Sequence, residues 1–356
     1  MSRATVLRGP VLVVGCGLLG TSVALALVRA GVDVHLRDRS DEHARIAASL
    51  GAGTTDRPTE VELVVVAVPP DAVGDVVVDA LAEWPDAVVT DVASVKAAPL
   101  GRAEASGADL SRYVGGHPMA GSERSGPGAG TADLFLGRVW AVTPHPASRH
   151  RATETVFELA VTCGASAVLM DPADHDAAVA RVSHLPHLLS VVTAAQLGDA
   201  PAEHLALAGQ GLRDVTRIAE SDPALWTQIV RGNAGPIASL LTAVRDDIDR
   251  LIDGLSAPGD ALTQVLDRGR AGTSRLPGKH GAPERVDATV YVQVPDRPGE
   301  LARLFVDAEE SGVNIEDLRI DHDVARPVGV VEVGVRPDSA DVLVASLSAK
   351  GWSAHR

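Results

Sequence analysis

The run Val11-Leu12-Val13-Val14, followed at once by Gly15-Cys16-Gly17-Leu18-Leu19-Gly20, constrains this chain more than any other stretch. Apolar residues without alternation predict a strand buried on both faces, as in a parallel sheet. Leu19, Val23, Leu27 and Ala30 then recur at helical spacing, and Gly31 ends the helix. Strand, GxGxxG and helix together predict a dinucleotide-binding turn. Its glycines permit the tight turn, the approach of a pyrophosphate and the packing of helix on strand. The helix N-terminus offers free N–H groups to phosphate. The next strand, Val32 to Arg37, ends at Asp38, an acid placed for a ribose diol and so for NAD. Arg37 and Arg39 leave NADP open. The candidate cofactor residues are Gly15, Gly17, Leu18, Leu19, Gly20 and Asp38, with Val68 and Pro69 at the end of a third strand.

That third strand is Leu63 to Val68, stopped by Pro69-Pro70, with Asp71 as a helix cap. Ala87 to Thr90, Tyr113 to His117 and Val139 to Thr143 follow. Strands alternating with helix-length segments predict an α/β fold, a Rossmann-type doubly wound parallel sheet over residues 1–170. Such sheets bind ligands at the carboxyl ends of their strands. Tyr113-Val114 delivers His117 to that edge within Gly115-Gly116-His117-Pro118-Met119-Ala120-Gly121. The flanking glycines let backbone and ligand approach closely, and histidine is the side chain best suited to take a proton near neutral pH. Ser94 and Lys96 also lie just beyond a strand end; their plainer roles are a helix cap and a solvated charge.

From residue 171 to 268 only helical periodicity remains, predicting an all-helical domain. His175-Asp176 opens its first long helix, which includes His184 and His187. These two are three apart, but no third metal ligand is in register, so they read as core or substrate-facing histidines. Arg213 and Arg217 sit in a polar stretch and suit a carboxylate. Residues 269–285 read as a linker, and residues 286–356 restart as a ferredoxin-like βαββαβ unit. There the Asp296 to Glu300 turn opens a helix, with Gly299 allowing close approach and Asn314 adding a polar contact, a candidate effector site for an amino-acid carboxylate.

Composition narrows the function. The chain of 356 residues is 46% hydrophobic and carries a net charge of −15, which argues against nucleic acid as a partner. No apolar run reaches the ~20 residues of a membrane helix, and the N-terminus shows no signal peptide. Two cysteines in separate segments fit a reducing, cytoplasmic setting.

Together GCGLLG, DVASVK (Asp91 to Lys96), GGHPMAGSERSG (Gly115 to Gly126), SHLPH and GLRDVTRIAESDPALW (Gly211 to Trp226) resemble the prephenate dehydrogenase family over nearly the whole chain. The C-terminal unit, with DRPGEL (Asp296 to Leu301) and GVNI (Gly312 to Ile315), resembles an ACT domain. The resemblance implies NAD-dependent oxidative decarboxylation of prephenate to 4-hydroxyphenylpyruvate, without a metal. It implies His117 as the catalytic base and Ser94 as its partner on the substrate hydroxyl. It further implies Arg217 on a substrate carboxylate, Glu123 and Asp214 tuning the entrance and that arginine, and His187 and Trp226 in the pocket. By fold analogy, a helical domain behind a Rossmann domain supplies a homodimer interface, and tyrosine, the pathway's product, is the natural effector for the ACT domain. Arogenate, which differs by an amino group, stays open as substrate. A β-hydroxyacid dehydrogenase would need a lysine on the helical domain, and none occurs between Lys96 and Lys279. A phosphoglycerate-type dehydrogenase would lack the helical middle. A non-catalytic amino-acid sensor would not need Ser94, His117 and Arg217 together.

Overall fold

The computed structural model describes residue 7 and residues 9–121, 124–256, 259–276, 288–322 and 328–356. The chain divides into two compact units, Met1–Arg245 and Asp246–Arg356.

In the first unit seven strands form one sheet: β1 (Val11–Val14), β2 (Val34–Arg37), β3 (Leu63–Val66), β4 (Val88–Asp91), β5 (Tyr113–Pro118), β6 (Val139–Pro144) and β7 (Ser166–Leu169), in the order β2-β1-β3-β4-β5-β6-β7. The helices between them are α1 (Leu18–Arg29), α2 (Asp41–Ser49), α3 (Pro70–Glu83), α4 (Ala97–Ala105) and α5 (His150–Thr162). The two-residue period of β1 sends its side chains to opposite faces. Val11 and Val13 pack with Val23 and Leu27 of α1. Leu12 and Val14 pack with Val73 and Val77 of α3. Each fully buried Val or Leu contributes roughly 1.5–3 kcal/mol, so the sheet is held by two apolar layers.

Strands β2 to β5 run parallel with β1, as the helix-length crossovers require. The last two strands reverse. β6 is antiparallel to β5, and β7 follows β6 in parallel. Between β5 and β6 the described residues hold only a 3₁₀ turn, Pro127–Ala129, in place of a crossover helix, so the chain returns antiparallel. Strand β7 was not apparent from the sequence; Ser166-Ala167-Val168-Leu169 is short and largely exposed.

The helical part follows: α6 (Pro172–Val179), a π-helical segment Ala180–His184, α7 (Leu185–Ala195), α8 (Ala202–Leu205), α9 (Gln210–Thr216), a 3₁₀ turn Arg217–Glu220, α10 (Pro223–Gly232) and α11 (Ala234–Ser256). The second unit holds the end of α11, α12 (Ala261–Thr273) and a four-stranded antiparallel sheet. Helix α12 extends to Thr273, into the stretch expected as linker. The sheet contains β8 (Ala288–Pro295), β9 (Asp317–His322), β10 (Val328–Val335) and β11 (Ser353–His355) in the order β11-β8-β10-β9, with α13 (Glu300–Glu309) and α14 (Ala340–Ala349) between strands. This is the expected βαββαβ order. Val290, Val292, Val331 and Val333 pack with Leu304, Leu343 and Leu347 to form its own core.

Candidate active site

The glycine-rich turn has the geometry its spacing predicts. Gly15 has φ +100°, and a Cβ there would lie 2.4 Å from the Ala67 carbonyl oxygen. A Cβ on Gly20 would meet the Gly15 carbonyl oxygen at 1.8 Å, so the third glycine permits α1 to pack on the turn. A Cβ on Gly17 would meet nothing within 4 Å. Gly17 caps α1 without a side-chain hydrogen bond, leaving N–H groups of the first turn for an anion. Asp38, at the end of β2, accepts from the Cys16 amide at 2.6 Å and from the Ser40 amide at 2.8 Å. Its carboxylate is therefore fixed beside the turn. Arg37 reaches away to Glu83 at 2.7 Å, while Arg39 is exposed. Val68 and Pro69 follow β3 beside this turn, and Ala67 donates to Val14 at 2.7 Å. The space over Gly17, the uncapped helix start and the fixed acid fit a dinucleotide.

Two strands away, β4 and β5 bring Ser94 and His117 to the same sheet edge. Ser94 is partly buried three residues beyond β4, and His117 lies in β5, also partly buried. Beneath them lies Lys96, whose plainer role as a solvated charge does not hold. Lys96 is 1% exposed and pairs with Asp91, which is fully buried. Its ammonium also donates to the Gly116 carbonyl at 2.5 Å. Asp91 accepts further from the Tyr113 hydroxyl at 2.7 Å and the Ala93 amide at 2.8 Å. The glycines before His117 serve this lysine. A Cβ on Gly115 would stand 3.1 Å from Lys96 Cδ and 2.5 Å from Thr143 Oγ1, and one on Gly116 would stand 2.7 Å from the Asp91 carbonyl oxygen. Their absent side chains make room for the buried pair.

His117 is held from the helical side. Its Nδ1 lies 2.8 Å from Nε2 of His175, whose Nδ1 lies 2.8 Å from Oδ1 of Asp176. Asp176 caps α4, accepting from the Lys96 and Ala97 amides at 2.8 Å each. His175 and Asp176 are both buried. Burial, then the charge of Lys96, then His175 and His184, hold the His117 imidazole well below the usual histidine range, so it is neutral at pH 7. Burial also lowers Lys96, opposed by Asp91 and Asp176.

A second group lies on the helices. The His187 ring stacks on Trp226 with centroids 3.4 Å apart, and His184 meets Trp226 edge-on at 6.0 Å. Asn233 bridges the Asp176 carbonyl at 2.8 Å and His184 Nδ1 at 3.1 Å. Burial pulls His184 down to about 4. Arg217, in the 3₁₀ turn packed on α7, is exposed. Asp214 is exposed and accepts from Gln210 at 3.0 Å; no ion pair to Arg217 is seen among the described residues. Glu123 lies outside the described residues. The residues unassigned from sequence are the adjacent His175 and Asp176, and Asp91 and Tyr113, distant from them in the chain and brought to them by the fold.

A glycine-rich nucleotide turn and a neutral histidine at the carboxyl edge of the same sheet define a Rossmann-fold, nucleotide-dependent oxidoreductase. Residues 23–169 match the family model for the prephenate dehydrogenase nucleotide-binding domain, and residues 171–266 match that for the prephenate dehydrogenase dimerization domain. The chain belongs to the prephenate dehydrogenase family. It is 36% identical over 356 residues to the "Probable prephenate dehydrogenase NovF" of Streptomyces niveus, spanning 96% of this chain and 98% of that protein. It is 29% identical over 332 residues to the prephenate dehydrogenase of Bacillus subtilis, spanning 88% of each. The prephenate dehydrogenase of Aquifex aeolicus, solved with hydroxyphenyl propionate and NAD+, superposes with a TM-score of 0.65 at 26% identity, over 74% of this chain and 96% of that one.

Proposed function

We propose that this chain oxidatively decarboxylates prephenate to 4-hydroxyphenylpyruvate with NAD. Family membership gives the activity, and the observation that carries the chemistry is His117 at the sheet edge with its Nδ1 2.8 Å from His175 Nε2, where burial and the Lys96 charge disfavour the protonated ring. NAD would be held by the Gly15–Gly20 turn and Asp38, and when bound would supply the hydride acceptor for the ring carbon that bears the hydroxyl. His117 takes the hydroxyl proton, aided by a hydrogen bond from Ser94 to the same oxygen. Departure of carbon dioxide leaves its electron pair in the ring, which becomes aromatic, and the phenolate oxygen recovers the proton from His117.

Arg217 holds a substrate carboxylate through its guanidinium fork. Asp214 and Glu123 tune that arginine and the entrance, and the His187–Trp226 stack supplies a pocket wall. Asp38 favours NAD over NADP, a reading supported by its position and by the engagement of Arg37 with Glu83. A homodimer forms through the helical part. Supporting it are the description of the matched domain and exposed apolar side chains such as Val192 and Leu241. The C-terminal unit acts as an ACT domain that binds tyrosine. Gly299, φ +90°, caps α13 without a side-chain hydrogen bond, and a Cβ there would meet nothing within 4 Å. Asp296 is exposed beside it, and Asn314 donates to Glu316 at 2.9 Å.

The test is initial-rate reduction of NAD and NADP with prephenate and with arogenate. The reading predicts prephenate with NAD as the fastest pair. Arogenate as the faster substrate would make this an arogenate dehydrogenase. With tyrosine added, the intact chain is inhibited, whereas a chain ending near Arg275 stays active and unresponsive.

A further inference from the structure

Asp176, His175 and His117 form a chain of hydrogen bonds whose direction follows from elementary acid–base chemistry. The Asp176 carboxylate only accepts, and both its oxygens already accept amide N–H groups. The proton in its contact with His175 therefore sits on His175 Nδ1. A neutral His175 then has a lone pair at Nε2, and the 2.8 Å contact to His117 needs a proton on His117 Nδ1. That leaves the lone pair of His117 on Nε2, which has no partner among the described residues. Without this chain the imidazole is free to carry its proton on either nitrogen.

We propose that His175 and Asp176 are positioning residues that fix the tautomer and ring orientation of His117, so that Nε2 is the proton acceptor in the reaction. The proposal rests on the reading of His117 as the base. Asp176 serves two ends at once. It caps α4, which fixes the Lys96 backbone, and it orients His175 on α6. One carboxylate thus ties the helical part to the sheet edge where the base sits. The charged and titratable groups around His117 and His175 are Lys96 and His184, then Asp176 bonded to His175, with Asp91 on Lys96 and Tyr113 on Asp91. Asp91 pairs with Lys96, yet the Lys96 charge still disfavours a proton on His117, which therefore stays the uncharged member of the group. His175 and Asp176 lie 58 and 59 residues beyond His117, so no local spacing reveals the link.

The experiment has two readouts. Nitrogen-15 shifts of the histidine rings in the intact, unliganded enzyme at pH 7.5 report the tautomer directly and need no turnover. The proposal predicts His117 protonated at Nδ1 and bare at Nε2. His117 protonated at Nε2 in the wild type would overturn it, whatever substrate the enzyme prefers. Kinetics then separate positioning from mere packing. His175→Leu removes the acceptor and should lower kcat by about 10²-fold, the low end of a general base's contribution, with KM for prephenate changed less than about two-fold. His175→Gln places an amide oxygen near the Nε2 position and should recover most of that loss. Equal loss in both variants, or a loss confined to KM, would overturn the assignment. A wild type inactive on prephenate yet showing the predicted tautomer would instead count against the proposed reaction alone.

Discussion

His117 and Arg217 answer to opposite environments. His117 is held by a buried histidine and carboxylate above a buried ion pair, and the partners named for it come from the fold itself. Arg217 stands exposed on a 3₁₀ turn with no ion pair among the described residues. The contrast teaches a division of labour. A proton acceptor must be oriented before the substrate arrives, because the reaction does not wait for a side chain to reorient. A carboxylate fork needs only reach and charge, since the ligand supplies its missing partner. Damage to the first region should therefore appear in turnover and stability, and damage to the second in substrate binding.

The comparison breaks most sharply at His117, the proposed base. His117→Asn keeps a hydrogen-bonding side chain but cannot accept the proton, and kcat should fall about 10²–10⁴-fold with a smaller change in KM, measured by steady-state NADH formation. Next in size is the buried pair. Lys96→Met leaves Asp91 charged and enclosed, with Tyr113 and Ala93 as remaining donors. Breaking a buried pair on one side costs about 3–5 kcal/mol, so denaturant unfolding should show a loss of that order. Smallest is the effect at Arg217, the proposed carboxylate fork. Arg217→Lys keeps the charge and loses the bidentate geometry. KM for prephenate should rise about ten-fold, worth ~1.4 kcal/mol, while the dissociation constant for NAD stays unchanged by titration. Equal weakening of both ligands would mean that Arg217 supports the fold.

The two regions also differed in legibility. The strand, glycine turn and helix around Gly15 to Gly20 are readable because their signals are local: Gly15 and Gly20 meet steric demands of the turn, Gly17 leaves the helix start open, and the chain supplies all three at fixed spacing. The C-terminal βαββαβ order was readable for the same reason, from alternating strands and turn residues. His117 stood out through the motif around it. Its supports did not. Lys96 looks like a surface charge until the fold closes Asp91, Tyr113 and two glycines around it. His175-Asp176 reads as the start of a helix, and only tertiary structure brings it to His117. The π-helical segment Ala180–His184 and the reversal at β6 likewise arise from packing and connection length, not from local propensity.

We propose that the fold keeps His117 as a neutral acceptor, and the pH dependence of kcat/KM tests this most directly. Burial and the Lys96 charge lower its folded-state proton affinity. The protonated, inactive form should therefore accumulate only well below the ordinary histidine value of about 6.5. Initial rates with prephenate and NAD should be flat from pH 8 down through 6.5 and fall only at lower pH. An acid limb centred at or above 6.5 would contradict the account.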